Sequence, residues 1–272
     1  MINNVTIIGG GRVGGSIQKR CDERGVSVAV VHRTNFKKWC NNTESIGDVL
    51  VIATKDDVLE SIVEQIALLR ANSLAGVLAL HVNGSADVDV LSPLLSAGAI
   101  TAAAHPFQTF SSNDPTALDG IGWGVQCSDE AWPRTRAFVE MLGGFPWLLT
   151  DVSHERKRRY HAAAVAASNF TYAAYELARK LAEDADIPAD VFLAPIMKRT
   201  LENATHALST HEAFAITGPL ARGDVDGVRR QFEAIPSEQR DLYRHLSLAL
   251  LAVVGERLGE ETRLEMQRVL GN

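Results

Sequence analysis

At 272 residues, 46% hydrophobic and 22% charged, the chain has the composition of a globular protein and room for one or two domains. A net charge of −6 argues against a general nucleic-acid binder, which would be basic. Cys21, Cys40 and Cys127 form no C-x-x-C pair, so neither a disulfide framework nor a zinc site is expected, and a reducing, cytoplasmic setting fits.

The apolar run Val5-Thr6-Ile7-Ile8 reads as a strand that breaks into Gly9-Gly10-Gly11 and then takes helical spacing to about Arg24. It begins without a basic leader segment, so no signal peptide is expected. Gly9, Gly11 and Gly14 fit G-x-G-x-x-G between a strand and a helix. In that pattern the first glycine permits a tight turn and the second lets backbone approach a pyrophosphate. The third lets the helix pack on the strand, with its amides facing the phosphates. A dinucleotide is therefore expected on Gly9, Gly11, Arg12, Val13 and Gly14.

The next strand, Ser27 to Val31, ends in His32-Arg33-Thr34. NAD sites usually place Asp or Glu here for the ribose 2′-hydroxyl, and this chain has neither. Arg33 and Thr34 instead suit a 2′-phosphate, which favours NADP over NAD. Asp48 to Thr54 is a further buried strand, whose carboxyl end puts Ala53, Thr54 and Lys55 over the cofactor. Gly76 to Val82 ends in Asn83-Gly84, where Asn83 offers a donor and an acceptor to a carbonyl substrate or to the nicotinamide amide; an ordinary Asn-Gly turn is the alternative. Thr101 to Ala104 leads into His105-Pro106, whose proline holds the histidine backbone extended. His105 is a candidate general acid or a structural histidine. A strand at Trp123 to Cys127, a helix from Ala131 to Leu142 and a strand at Phe145 to Leu149 complete the sheet.

From about Asp151 the pattern turns helical. Asp151 or Ser153 is expected to cap a helix running to about Asp184. The run Arg156 to Arg159 reads as a solvated face. His161, Ser168 and Tyr175 recur every seven residues on an alanine-rich helix, with Asn169 beside them, a spacing that fits either a cleft lining or buried hydrogen bonds. A helix from about Pro188 carries Lys198, Asn203 and His206. Arg222, in the turn Thr217 to Asp224, can hold a substrate carboxylate or pair with an acid of the fold, and Asp224 can cap the helix Val225 to Ala234. Helices near Ser237 to Leu258 and Glu260 to Leu270 close the chain. Their longest apolar run, Leu246 to Val254, is too short to span a membrane. The expected organisation is a dinucleotide-binding α/β domain over 1–151 and a helical substrate and dimerisation domain over 152–272.

The glycine loop, Asn83-Gly84, His105-Pro106-Phe107-Gln108-Thr109-Phe110, Tyr160 to Ala164, Ser168-Asn169-Phe170 and Thr217 to Asp224 together resemble a bacterial family of Rossmann-like oxidoreductases, DUF2520-like, over nearly the whole chain. That family is related to ketopantoate reductase and pyrroline-5-carboxylate reductase. The resemblance implies a Rossmann-type, mostly parallel sheet followed by an all-helical domain like the C-terminal domain of 6-phosphogluconate dehydrogenase. It also implies a homodimer, bound NADP and a small oxo-acid or imino-acid substrate, with ketopantoate, in pantothenate synthesis, the first expectation. On this reading His161 or His105 supplies a proton, Asn83, Ser168 and Asn169 orient the substrate, and Arg222 or Lys198 neutralises its carboxylate. The chain departs from that family at Gly227 and Gln231, where threonine and histidine are frequent. It departs from ketopantoate reductase in offering His161, and no lysine on the same face, at the start of the long helix.

Overall fold

The computed structural model describes residues 1–150 and 154–271. Seven strands form one sheet: β1 (Asn4–Ile8), β2 (Ser27–Val31), β3 (Val49–Ile52), β4 (Leu78–His81), β5 (Ile100–Pro106), β6 (Gly122–Cys127) and β7 (Phe145–Leu148). The order is β2-β1-β3-β4-β5-β6-β7. β1 to β5 run parallel, β6 lies antiparallel to β5, and β7 returns parallel to β6. This is the expected mostly parallel Rossmann-type sheet.

All residues of β3 and β4 are buried, as strands covered on both faces require. Alternation along each strand sends side chains to two separate cores. Ile7, Val49 and Val51 pack with Ile17 and Cys21 of α1 (Arg12–Glu23) and with Phe138 and Val139 of the helix that joins β6 to β7. Ile8, Leu50 and Ile52 meet Leu59, Val63 and Ile66 of the helix that follows β3. The short helix Phe36–Cys40 is α2, the helix Asp56–Arg70 is α3, Ser92–Ser96 is α4 and Trp132–Met141 is α5.

The remaining elements are helices: α6 (His154–Asp184), α7 (Ala189–Thr210), α8 (Pro219–Arg222), α9 (Val225–Ala234), α10 (Ser237–Val254) and α11 (Glu260–Gly271). Asp151 and Ser153, the expected caps of α6, lie outside the described residues. Two compact units divide within α6: residues 1–167 and residues 168–272. Tyr160 and His161 therefore belong with the sheet. In the second unit Val228 and Phe232 of α9, Leu251 and Val254 of α10 and Met266 and Leu270 of α11 make the core. Asp224 caps α9 by accepting from the Gly227 amide at 2.8 Å, as its place before the helix suggested. Among the described residues, no helix is long and apolar enough to cross a membrane.

Candidate functional site

The glycine turn between β1 and α1 is shaped by backbone that leaves no room for side chains. Gly9 has φ +103°, a left-handed value that L residues rarely adopt, and a Cβ there would lie 2.5 Å from the Ala53 carbonyl oxygen. A Cβ on Gly14 would penetrate the Gly9 carbonyl, so the third glycine is what lets α1 close on β1. Gly11, by contrast, faces open space, with no atom of the described residues within 4 Å of a Cβ built on it. It is also the N-cap of α1, whose first turn holds no acidic residue. Free amides, the positive end of the helix dipole and an open approach suit an anion. A cavity of about 430 Å³ runs from Gly11, Arg12 and Val13 past Ala53, Thr54 and Lys55 to Asn83, Gly84 and Phe110. Arg33 and Thr34 stand exposed in the turn after β2.

Sequence reasoning missed His32. Its imidazole lies against Gly10, where a Cβ would come within 2.9 Å of Nδ1, so the middle glycine of the run serves the fold as well. The signal was a third glycine in a turn whose pattern needs two.

The carboxyl ends of β4 and β5 carry the second cluster. His81 is wholly buried; the Asn83 amide donates to its Nδ1 at 3.3 Å, so Nε2 carries the hydrogen, 3.1 Å from the Asp87 carbonyl oxygen. Asn83 Nδ2 donates to the Thr54 carbonyl oxygen at 3.1 Å and to Asp56 Oδ1 at 2.5 Å. Ser85 Oγ donates to the other Asp56 oxygen. These hydrogen bonds, Ser85 first and then Asn83, hold the Asp56 carboxyl below the usual carboxylate range.

Gly84 is the meeting point of two histidines. A Cβ there would lie 2.5 Å from His161 Nδ1 and 2.8 Å from His105 Nε2. The rings are 5.8 Å apart between centroids, edge to face. His105 Nδ1 lies 3.1 Å from the Tyr160 hydroxyl, and Tyr160 fits because Gly124, opposite His105 in β6, has no side chain. A glycine inside a strand marks such a close approach, and that was the signal for Tyr160. Burial, then the neighbouring His161 and Lys157, pushes the His105 pKa down to about 4, so it is neutral at pH 7. His161 stands beside it at the start of α6. Its Nδ1 is buried with no partner among the described residues.

The Arg156 to Arg159 run is corrected at one position. Arg156, Arg158 and Arg159 are exposed, but Lys157 is buried, its side chain 3% accessible. Its Nζ donates to the Ala86 carbonyl oxygen and to Gln126 Oε1 at 2.7 Å, with Asp87 Oδ1 at 3.8 Å. Burial brings its pKa down to about 8 against the opposing pull of Asp87. The helix start thus does hold a lysine directed inward. A basic run on a helix hides which member turns toward the sheet, and spacing from His161 alone would have shown it: four residues is one turn.

His81 carries a pH prediction. Its pKa is lowered from 6.5 to about 4, first by burial and then by Lys157. The unfolded chain therefore takes up this proton first, so stability is intact above pH 6.5 and is lost as pH falls toward 4, by about 3 kcal/mol at most. Urea unfolding at pH 7 and pH 5 should show a lower midpoint at pH 5, and His81→Gln should shrink the difference. Equal pH sensitivity in the variant would contradict the assignment.

Residues 121–250 match the family described as "Domain of unknown function (DUF2520)". None of the curated proteins matches the sequence. Among solved structures, it is similar to BF3122 from Bacteroides fragilis, provisionally named an NADP oxidoreductase, at 20% identity, TM-score 0.72, covering 91% of this chain and 97% of that one. Protein TM1727 from Thermotoga maritima shares 18% identity at TM-score 0.65, over 93% of this chain and 99% of its own. An imine reductase from Myxococcus stipitatus, solved with NADP+, shares 16% identity at TM-score 0.63, over 93% of each chain. At these identities the likeness establishes the fold.

The matched segment 121–250 includes Tyr160 and His161, whereas the glycine turn, Asn83 and His105 precede it. Of the other expected site residues within it, Ser168, Asn169, Lys198 and Arg222 belong to the second compact unit. Ser168 Oγ donates to Asn169 Oδ1 at 3.2 Å, and Asn169, Lys198 and Arg222 are exposed.

Proposed function

We propose that the protein is an NADP-dependent oxidoreductase that reduces a small carboxylate-bearing ketone, ketopantoate being the first substrate to test. The observation that supports it most is a single cavity joining the open glycine turn at Gly11 to Asn83 and Gly84, on which two histidines converge. The residues present fit the cofactor: Gly11 and the α1 amides for its diphosphate, Arg33 and Thr34 for its 2′-phosphate, Ala53, Thr54 and Lys55 along the cavity. When bound, the dihydronicotinamide supplies a hydride to the substrate carbon. His161 supplies the proton that the carbonyl oxygen gains, and neutral His105, held by Tyr160, fixes the ring beside it. Lys157 ties the 82–87 turn to β6, through the Ala86 carbonyl and the Gln126 side chain. The cofactors bound in the structural neighbours, NADP+ in the imine reductase and NADPH in a reductive aminase from Aspergillus terreus, agree with this choice.

The test is NADPH oxidation with ketopantoate, pyrroline-5-carboxylate and a panel of 2-oxo acids. Turnover with ketopantoate is expected; activity only with the cyclic imine would move the reading to imine reduction. Tight NADPH binding with no turnover on any of them would make the protein a cofactor sensor.

We also infer a homodimer. α7 leaves Val191, Phe192, Ile196, Leu201 and Leu208 more than half exposed, apolar surface of the kind a second copy covers. Light scattering at twice 29.5 kDa supports it, and a monomer at micromolar concentration contradicts it.

A further inference from the structure

Asn83 was expected to offer the ligand both a donor and an acceptor, but its surroundings leave only one. Both amide hydrogens are committed, to the Thr54 carbonyl and to the Asp56 carboxylate. The reverse orientation would set the amide oxygen against that carboxylate, so the amide is fixed. Asn83 is 6% exposed, and its Oδ1 is buried with no partner among the described residues. Thr54 Oγ1 is a second buried atom without a partner among the described residues, and both residues line the same cavity. A buried acceptor left unpaired is costly, and with its residue lining a binding cavity the ligand is the available source of a donor. A ketone oxygen cannot be that partner, because two acceptors repel.

We infer that Asn83 Oδ1 is a dedicated acceptor for an N–H of the bound ligand. This rests on the reductase reading and sharpens it. The N–H has two possible sources with the same chemistry: the carboxamide of the nicotinamide, or the protonated nitrogen of a cyclic imine or amine in the substrate position. The first source leaves ketone reduction in place, with the carbonyl oxygen directed to His161. The second makes the substrate an imino acid.

The experiment compares two ligand pairs on the wild-type protein by fluorescence titration. The first pair is NADPH and its 3-acetylpyridine analogue, in which a methyl replaces the carboxamide nitrogen. The second pair, with NADP+ present, is proline and tetrahydrofuran-2-carboxylate, in which oxygen replaces the ring nitrogen. The N–H member of at least one pair is expected to bind roughly 10-fold to 100-fold more tightly. Preference in the first pair identifies the carboxamide, and preference in the second the substrate nitrogen. Asn83→Leu, if folded, should erase the preference, and an undiminished preference in that variant would overturn the assignment. Should the variant fail to fold, the wild-type pairs decide alone. Equal affinities within both pairs, with NADPH bound, overturn the inference and leave the reductase reading standing. No NADPH binding at all overturns the reductase reading and the inference with it.

Discussion

Gly14→Ala should lose NADPH binding by about 100-fold or more, since an overpacking penalty of roughly 3 kcal/mol at the turn corresponds to two orders of magnitude. The added methyl would penetrate the Gly9 carbonyl and press on Ala53 Cβ at 3.3 Å. Neither is the mobile end of a flexible side chain, so α1 must move off β1. The helix amides then no longer converge where Gly11 leaves space. Gly11→Ala is the instructive contrast. Its methyl meets no atom of the described residues within 4 Å, so the apo fold should keep its thermal midpoint while cofactor affinity falls. A Gly14→Ala protein that titrates like wild type would show that the turn does not hold the diphosphate.

The second large effect is expected at Gly84. A methyl there would stand 2.5 Å from His161 Nδ1 and 2.8 Å from His105 Nε2, and both rings must give way. If His161 is the proton donor, Gly84→Ala should lower turnover by about 100-fold or more, matching His161→Ala. The double variant should be no worse than either single one, because both remove the same event. NADPH affinity should change far less than turnover, since the methyl points at the histidines and leaves the glycine turn intact. Wild-type turnover in Gly84→Ala would remove the histidine pair from the chemistry.

These sites differ in how openly the sequence displays them. The glycine turn is local: strand, turn and helix lie within twenty residues, and the requirement for glycine follows from backbone geometry alone. The strands were likewise readable from apolar runs such as Val49 to Ile52, though not the reversal of β6, since a short buried strand reads alike in either direction. The histidine pair is harder. His105 and His161 are brought together by the sheet edge and the first turns of α6, and nothing in the spacing between them encodes the contact. Only the glycines at 84 and 124 betray it, as places where side chains from elsewhere come close. Lys157 was obscured by three exposed arginines beside it. Asn83 was visible, but its polarity was not, because the commitment of its nitrogen depends on Asp56 at the start of α3.

Direct titration of the purified protein with NADPH and NADH tests the central claim most plainly. The account predicts saturable binding of both, with NADPH the tighter because Arg33 and Thr34 follow β2 where an acidic residue would favour NADH. Arg33→Ala should narrow that difference. An absence of saturable binding for either nucleotide would contradict the account at its root.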